Sequence, residues 1–249
     1  MADNDDVIGQ GELRSSPPAA KKVTRQTHDG KQKSLEVSII DGREIFEGDI
    51  IVGRGLELQG VGITGPTARW PKRTVIFAID PALPNPKRVT DAIAHWEAHT
   101  DIKFKKRTNE HDFVNFVAGA GCSSAVGKIG GVQLVTLGPA CTAGNAIHEI
   151  GHTVGLWHEQ SREDRDKFVT IKFANVIPST RHNFDQHIAD GDDLGPYDYG
   201  SIMHYPKIAF AIDPAKPTIV TKHGEEIGQR EALSAGDIAA VAEMYKDVT

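Results

Sequence analysis

The run His148-Glu149-Ile150-Gly151-His152-Thr153-Val154-Gly155-Leu156-Trp157-His158-Glu159 constrains this chain more than any other feature. Positions four apart on a helix share a face, so His148 and His152 present their imidazoles to one point and Glu149 reaches alongside. His158 cannot join them on a straight helix. It lies six residues past His152, about 9 Å further along the axis at ~1.5 Å per residue, whereas a zinc–nitrogen bond spans about 2.0–2.1 Å. The helix must end between the two, and Gly155 is where it can, because glycine enters the left-handed conformation at a helix end without steric cost. A bare His-Glu-x-x-His also occurs on amphipathic helices with surface histidines. Gly155, His158 and the turn-like Ser201-Ile202-Met203-His204-Tyr205-Pro206 set this run apart.

An extended histidine motif followed by a methionine turn marks the metzincins. The details resemble one metzincin family, the astacins: Glu159 directly after the third histidine, then Gln160-Ser161-Arg162-Glu163-Asp164-Arg165-Asp166, and the turn ending in His204-Tyr205. The similarity continues through Asn183-Phe184, Tyr197-Asp198-Tyr199 and Ile227-Gly228-Gln229-Arg230, covering about residues 70 to 245. It implies an α+β, zincin-like fold: a twisted, mostly parallel sheet with helices in an N-terminal subdomain, and an irregular C-terminal subdomain closed by a helix. It implies one zinc ion per chain, held by His148, His152 and His158, with Tyr205 as a further ligand that swings away to bond the oxyanion. Met203 would be an apolar floor beneath the histidines, and Glu159 would be linked to the mature N-terminus. Cys122 and Cys141 match positions that the family joins in a disulfide, whereas the family's second disulfide has no cysteines here.

The chemistry this implies is a zinc endopeptidase acting on proteins and peptides. A metal-activated water attacks the peptide carbonyl while Glu149 serves as general base and returns the proton to the leaving amine. The alternative is a pseudo-protease that binds zinc or peptide without turnover, against which Glu149 and Tyr205 are retained. A structural zinc protein fits less well, since such sites are closed by four ligands, usually rich in Cys. Upstream, Phe46-Glu47-Gly48-Asp49 resembles the Phe-x-Gly-Asp of astacin propeptides, in which the aspartate takes the place of the catalytic water. The resemblance therefore implies a latent zymogen with Asp49 on the metal, opened by an activating protease for which Arg54 and Arg69 are candidate sites.

Three segments follow: a disordered leader over 1–40, an inhibitory propeptide over 41–60 and the catalytic domain over 61–249. The leader is read as disordered because apolar residues are sparse among Asp, Lys, Gln, Ser and Pro. A net charge of -6 argues against nucleic acid or anionic membrane as partners. No apolar run approaches the ~18 residues of a membrane span. The acidic start Met1-Ala2-Asp3 lacks the regions of a signal peptide, yet the resemblance implies a secreted protein, and the chain is read as a monomer. Strands are expected over 74–79, 102–107, 113–117, 123–127 and 132–137, the segment after Cys122 resembling the family's substrate-binding edge strand. Val89, Ala92, Ile93 and Trp96 have helical spacing, and His95 and His99 beside them are expected to face solvent. Ser234 and Asp237 begin a final helix. Lys207 or Lys216 would supply charge for acidic residues after the cleaved bond.

Overall fold

A computed structural model describes residues 20–26, 32–52, 68–186 and 192–248. The expectations placed on residues 1–19 and on Arg54, and the boundary at 60/61, lie outside the described residues. The strands are β1 (Ala20–Gln26), β2 (Gln32–Ile40), β3 (Arg43–Phe46), β4 (Ile50–Val52), β5 (Thr74–Ile79), β6 (Lys103–Lys106), β7 (Phe113–Ala118), β8 (Cys122–Ser124), β9 (Val132–Leu137), β10 (Val169–Ile171) and β11 (Ile219–Thr221). The helices are α1 (Lys87–His99), α2 (Ala143–Val154) and α3 (Ala235–Met244), with short 3-10 turns between them.

One sheet runs in the order β1-β2-β3-β4-β8-β9-β7-β5-β6, and β10 and β11 form a separate pair. From β9 through β7 and β5 to β6 the neighbours are parallel, while β8 is antiparallel to β9. Parallel strands need long crossovers, and α1 is one of them, its buried Val89, Ala92, Ile93 and Trp96 packing beside α2. The predicted α+β class is thus the observed one, with a mostly parallel sheet in the domain that carries the histidine motif. The C-terminal half is largely irregular around Val169, Val176, Phe184, Tyr205 and Ile219 and closes on α3, which starts at the predicted Ser234–Asp237 capping box.

Two expectations are corrected. The segment 1–40, expected to be a disordered leader, contributes β1 and β2, which pair with each other and, through β2, with β3. Its few apolar residues alternate: Leu35 and Val37 on β2 are buried, as is Val23 opposite Leu35, and they join Phe46, Ile50, Val52, Val126 and Trp157 in one cluster. A strand needs only every second residue for the core, and its main chain supplies the rest of its bonding, so low apolar content does not mean disorder here. His99 is exposed as expected, but His95 is half-buried and not free in solvent. Its ring stacks on His99 at 4.2 Å and its Nε2 accepts the Leu233 N–H at 3.1 Å, tying α1 to the approach of α3.

A disulfide joins Cys122 in β8 to Cys141, just before α2. Closing a loop with a sequence separation of 19 contributes about 3 kcal/mol on the chain-entropy estimate. Replacing both cysteines by serine is therefore expected to lower the urea-derived unfolding free energy by about that amount. Mass spectrometry of unreduced peptides checks the bond itself.

Candidate metal centre

Helix α2 begins with a reciprocal cap, Thr142 accepting from the Asn145 N–H while the Asn145 side chain accepts from the Thr142 N–H. It ends at Gly155, whose φ of 114° is left-handed and whose N–H turns back to the carbonyls of Gly151 and His152. This is the break the spacing required. Beyond it the chain doubles under the helix, and His158 returns to lie with its ring centroid 4.7 Å from that of His152 and 5.4 Å from that of His148. All three histidines are fully buried.

Each imidazole has its Nδ1 committed elsewhere. His148 Nδ1 lies 2.8 Å from the Ile202 carbonyl, His152 Nδ1 2.8 Å from the Leu156 carbonyl, and His158 Nδ1 2.8 Å from Glu47 Oε2. Those acceptors have no proton to give, so Nδ1 carries the hydrogen and donates it, leaving Nε2 to face inward. At the centre stands Asp49. Its Oδ2 lies 3.3 Å from His148 Nε2 and 3.2 Å from His158 Nε2, and its Oδ1 lies 3.7 Å from His152 Nε2. Asp49, His148, His152 and His158 each offer a ligand atom, all within 4.8 Å of one another. Asp49 Oδ1 and His152 Nε2 are buried with no hydrogen-bond partner, which is costly unless something else satisfies them. Three inward nitrogens and a carboxylate oxygen make a donor set that fits zinc. Burial alone would raise the Asp49 carboxyl, but the imidazoles of His158, His148 and His152 outweigh it and hold the group far below the usual carboxylate range.

Asp49 arrives on a hairpin. Phe46 pairs with Ile50, so Glu47, Gly48 and Asp49 form the tip, with left-handed φ at Glu47 (47°) and Gly48 (80°). The hairpin docks on β8, Ile50 opposite Ser124 in parallel, and the Ser124 N–H donates to the Asp49 carbonyl at 2.9 Å. Thus the edge strand that the resemblance assigns to substrate carries the upstream segment of the same chain. Phe46 meets Trp157 edge-on at 6.2 Å between centroids. Further back, Arg43 donates to Thr136 Oγ1 at 2.6 Å, and the Ala120 N–H donates to Asp41 at 3.1 Å.

Met203 lies beneath α2, where a Cβ at Gly151 would come within 2.5 Å of its sulfur. The turn that carries it is pinned from two sides. Asp237, at the third position of α3, accepts from Ser201 Oγ at 2.6 Å and from the Ile202 N–H at 3.0 Å. Arg230 donates to the carbonyls of Ile202 and His204 at 2.8 and 3.0 Å. Tyr205 sets its ring at a tilt 4.5 Å from that of His158, and its hydroxyl donates to the Glu47 carbonyl. Glu149 is fully buried beside His148. Glu159 is largely buried too, its Oε1 accepting the Asp198 N–H at 2.8 Å, and burial pushes its carboxyl up to about 8. Lys207 and Lys216, considered as recognition charges, sit against Glu226 at 2.7 Å and Asp213 at 3.5 Å. Sequence reasoning missed Glu47, Ser161, Arg230 and Asp237 as parts of this centre. All four stand in segments already singled out, but nothing local showed what Glu47 or Ser161 would touch.

Residues 62–246 match the family model for Astacin, described as a peptidase family. The chain is 37% identical over 222 residues to Astacin-like metalloprotease toxin 1 of Loxosceles intermedia, covering 84% of this chain and 83% of the toxin. Against Astacin-like metalloendopeptidase of Mus musculus it is 36% identical over 213 residues, covering 81% of this chain but 48% of that protein. Against zinc metalloproteinase nas-36 of Caenorhabditis elegans the identity is 35%, and this chain spans 36% of the relative's length. Among solved structures, High choriolytic enzyme 1, a hatching enzyme zinc-protease from Oryzias latipes, superposes with a TM-score of 0.67 at 32% identity, covering 76% of this chain and 94% of that one. Myroilysin shares the fold at a TM-score of 0.54 and 20% identity, covering 72% and 96%.

The packing of α2 on the segment that pins the methionine turn yields a test. A Cβ at Gly144 would lie 1.6 Å from the Arg230 carbonyl oxygen, a main-chain atom that cannot swing aside. Gly144→Ala is expected to cost about 1–3 kcal/mol of stability in urea unfolding. A change below about 0.5 kcal/mol, the range of an ordinary surface substitution, would show that α2 can slide away from Arg230 freely.

Proposed function

This chain belongs to the astacin family of zinc metalloendopeptidases, and we propose that it is made as a latent precursor whose own residues 20–52 close the catalytic centre until they are cut away. The observation that carries this reading is the position of Asp49. A hairpin whose β4 pairs with β8 puts the Asp49 carboxylate among His148, His152 and His158, and so fills the side that catalysis needs open. The cut would fall between Ile50 and Trp70, Arg69 being the described candidate. The substrate is protein. The disulfide between Cys122 and Cys141 supports folding in an oxidising compartment, as for a secreted enzyme. No helix among the described residues is long and apolar enough to cross a membrane.

His148, His152 and His158 would hold the zinc in the working enzyme, where the Nδ1–H bonds of His148 and His152 to the Ile202 and Leu156 carbonyls fix those two rings. Zinc, when bound, supplies a Lewis-acid charge that polarises the peptide carbonyl and lowers the pKa of water from ~15.7 to about 7. Glu149 takes the proton of the attacking water and delivers it to the leaving amine. Tyr205, released from the Glu47 carbonyl when the leader goes, is placed against His158 to donate its hydroxyl to the oxyanion that develops on the substrate. Met203 supports the rings from below and takes no part in proton transfer. Once the leader leaves β8, an extended peptide can pair there by main-chain hydrogen bonds, which recognise backbone and leave side-chain choice to neighbouring pockets.

Two outcomes check this. Glu149→Ala in the trimmed enzyme is expected to lower turnover of a quenched peptide by at least about 10²–10⁴-fold, the usual worth of a general base, while metal analysis still finds one zinc per chain. Normal turnover by that variant would remove Glu149 from the mechanism. On the same peptide, the intact chain is expected to be nearly inactive, the trimmed chain active, and intact Asp49→Asn leaky, because an amide brings no negative charge to the cation. Equal rates for intact and trimmed wild type would refute latency.

A further inference from the structure

Glu47 does not reach the open side of the centre, yet both its carboxylate oxygens and its main-chain carbonyl are engaged. It is fully buried. Its Oε2 accepts from His158 Nδ1–H at 2.8 Å, its Oε1 accepts from Ser161 Oγ–H at 2.8 Å, and its main-chain carbonyl accepts the Tyr205 hydroxyl. A plug would need none of this. Burying a carboxylate is expensive unless it is paired and hydrogen-bonded, so a neutral or small side chain would serve better if the tip only had to fill space.

The three histidines differ in what stands behind them. His148 and His152 lean on main-chain carbonyls, Ile202 and Leu156, that belong to the catalytic domain and stay whatever happens upstream. His158 leans on a side-chain carboxylate 111 positions earlier in the chain, in the segment proposed to be removed. A carboxylate behind a ligating imidazole fixes the tautomer and ring orientation and makes the inward nitrogen a stronger donor, and its loss typically costs about 10–100-fold in metal affinity or activity.

We propose that Glu47 is a positioning residue for the metal centre of the uncut chain: through His158 it makes the precursor a tighter zinc binder than the enzyme it yields. The proposal rests on the latent-precursor reading, in which the segment carrying Glu47 leaves on activation. Asp49 then acts from the open side of the metal and Glu47 from behind a ligand. Departure of the severed segment would remove both and with them the partners of the Tyr205 and Ser161 hydroxyls.

The test uses the full-length chain loaded with zinc. A chromophoric chelator competes for the metal in uncut wild type and in uncut Glu47→Gln, which keeps the size and an acceptor oxygen of the side chain but not its charge. The expected result is a weakening of zinc affinity by about 10–100-fold in the variant, with Asp49 still in place. Affinities within about twofold would overturn the proposal, since the loss of an outer carboxylate is worth more than that. A second measurement needs no variant and stands if Glu47→Gln fails to fold. In the proton NMR spectrum of zinc-loaded uncut wild type, the Nδ1–H of His158 should resonate well downfield of those of His148 and His152, because its acceptor alone is charged. Three similar resonances would also overturn it. Latency is judged separately, by the rates of intact and trimmed wild type. A chain that is latent but whose zinc affinity ignores Glu47→Gln refutes this inference alone, whereas a chain equally active before and after trimming refutes both.

Discussion

The metal centre depends on one change of chain direction. If the residue after Val154 could not adopt a left-handed φ, α2 would run on and carry His158 away from the other two histidines, whatever their own rotamers. The same turn lets the Gly155 N–H bond back to the end of the helix and delivers the Leu156 carbonyl to His152 Nδ1. One glycine thus supplies the helix cap, the outer partner of the second histidine and the return path of the third. A β-carbon there would oppose all of these together, because a side chain is strained at a φ of 114°.

The rest of the molecule works to keep that geometry from relaxing. Below the rings, Met203 occupies space that only a glycine at 151 leaves free. Its turn is held by Asp237 and Arg230, whose partners are main-chain groups of residues 202 and 204 together with Ser201 Oγ. Asp237 also caps α3, so the last helix is coupled to the floor of the site by a single carboxylate. Burial raises that carboxyl above its ordinary range, a cost offset by the donors that converge on it. Gln160 adds a further brace, its Oε1 accepting the Tyr205 N–H at 2.9 Å. Rigid support of this kind is what lets a catalytic constellation avoid reorganisation during reaction.

How far the sequence can be read follows from the range of the interactions involved. His148, Glu149, His152 and His158 are legible because helix periodicity and one glycine encode their convergence within a dozen residues. Strands β5, β7 and β9 are legible too, since their apolar runs are short and bounded by turn residues, whereas β6 is mostly lysine and β8 spans Cys122–Ser124, ending short of the expected 127. The pairing of β1 and β2 is not legible, because it rests on main-chain bonds and on a few alternating apolar positions scattered along the two strands. His95 escapes for a related reason: its partner, the Leu233 N–H, lies 138 positions away. Glu47 is the hardest. A charged residue in a polar stretch is ordinarily solvated, and only the fold brings it behind His158.

The leader is attached to the catalytic domain by far more than the bond that an activating protease would break. Its β4 edge pairs with β8, Arg43 and Asp41 anchor the β2–β3 turn region, and Val37, Phe46 and Val52 share a buried cluster with Val126 and Trp157. While the chain is whole, the tip would act as an intramolecular ligand of the centre. Under the proposed latency, cutting the tether would convert it to a separate molecule without removing any of these contacts. Activation would then have two stages with different dependences, a proteolytic one set by the activating enzyme and a dissociative one set by dilution. In a crowded or confined compartment the severed leader would continue to act as a reversible inhibitor, and full activity would emerge only as it diffuses away.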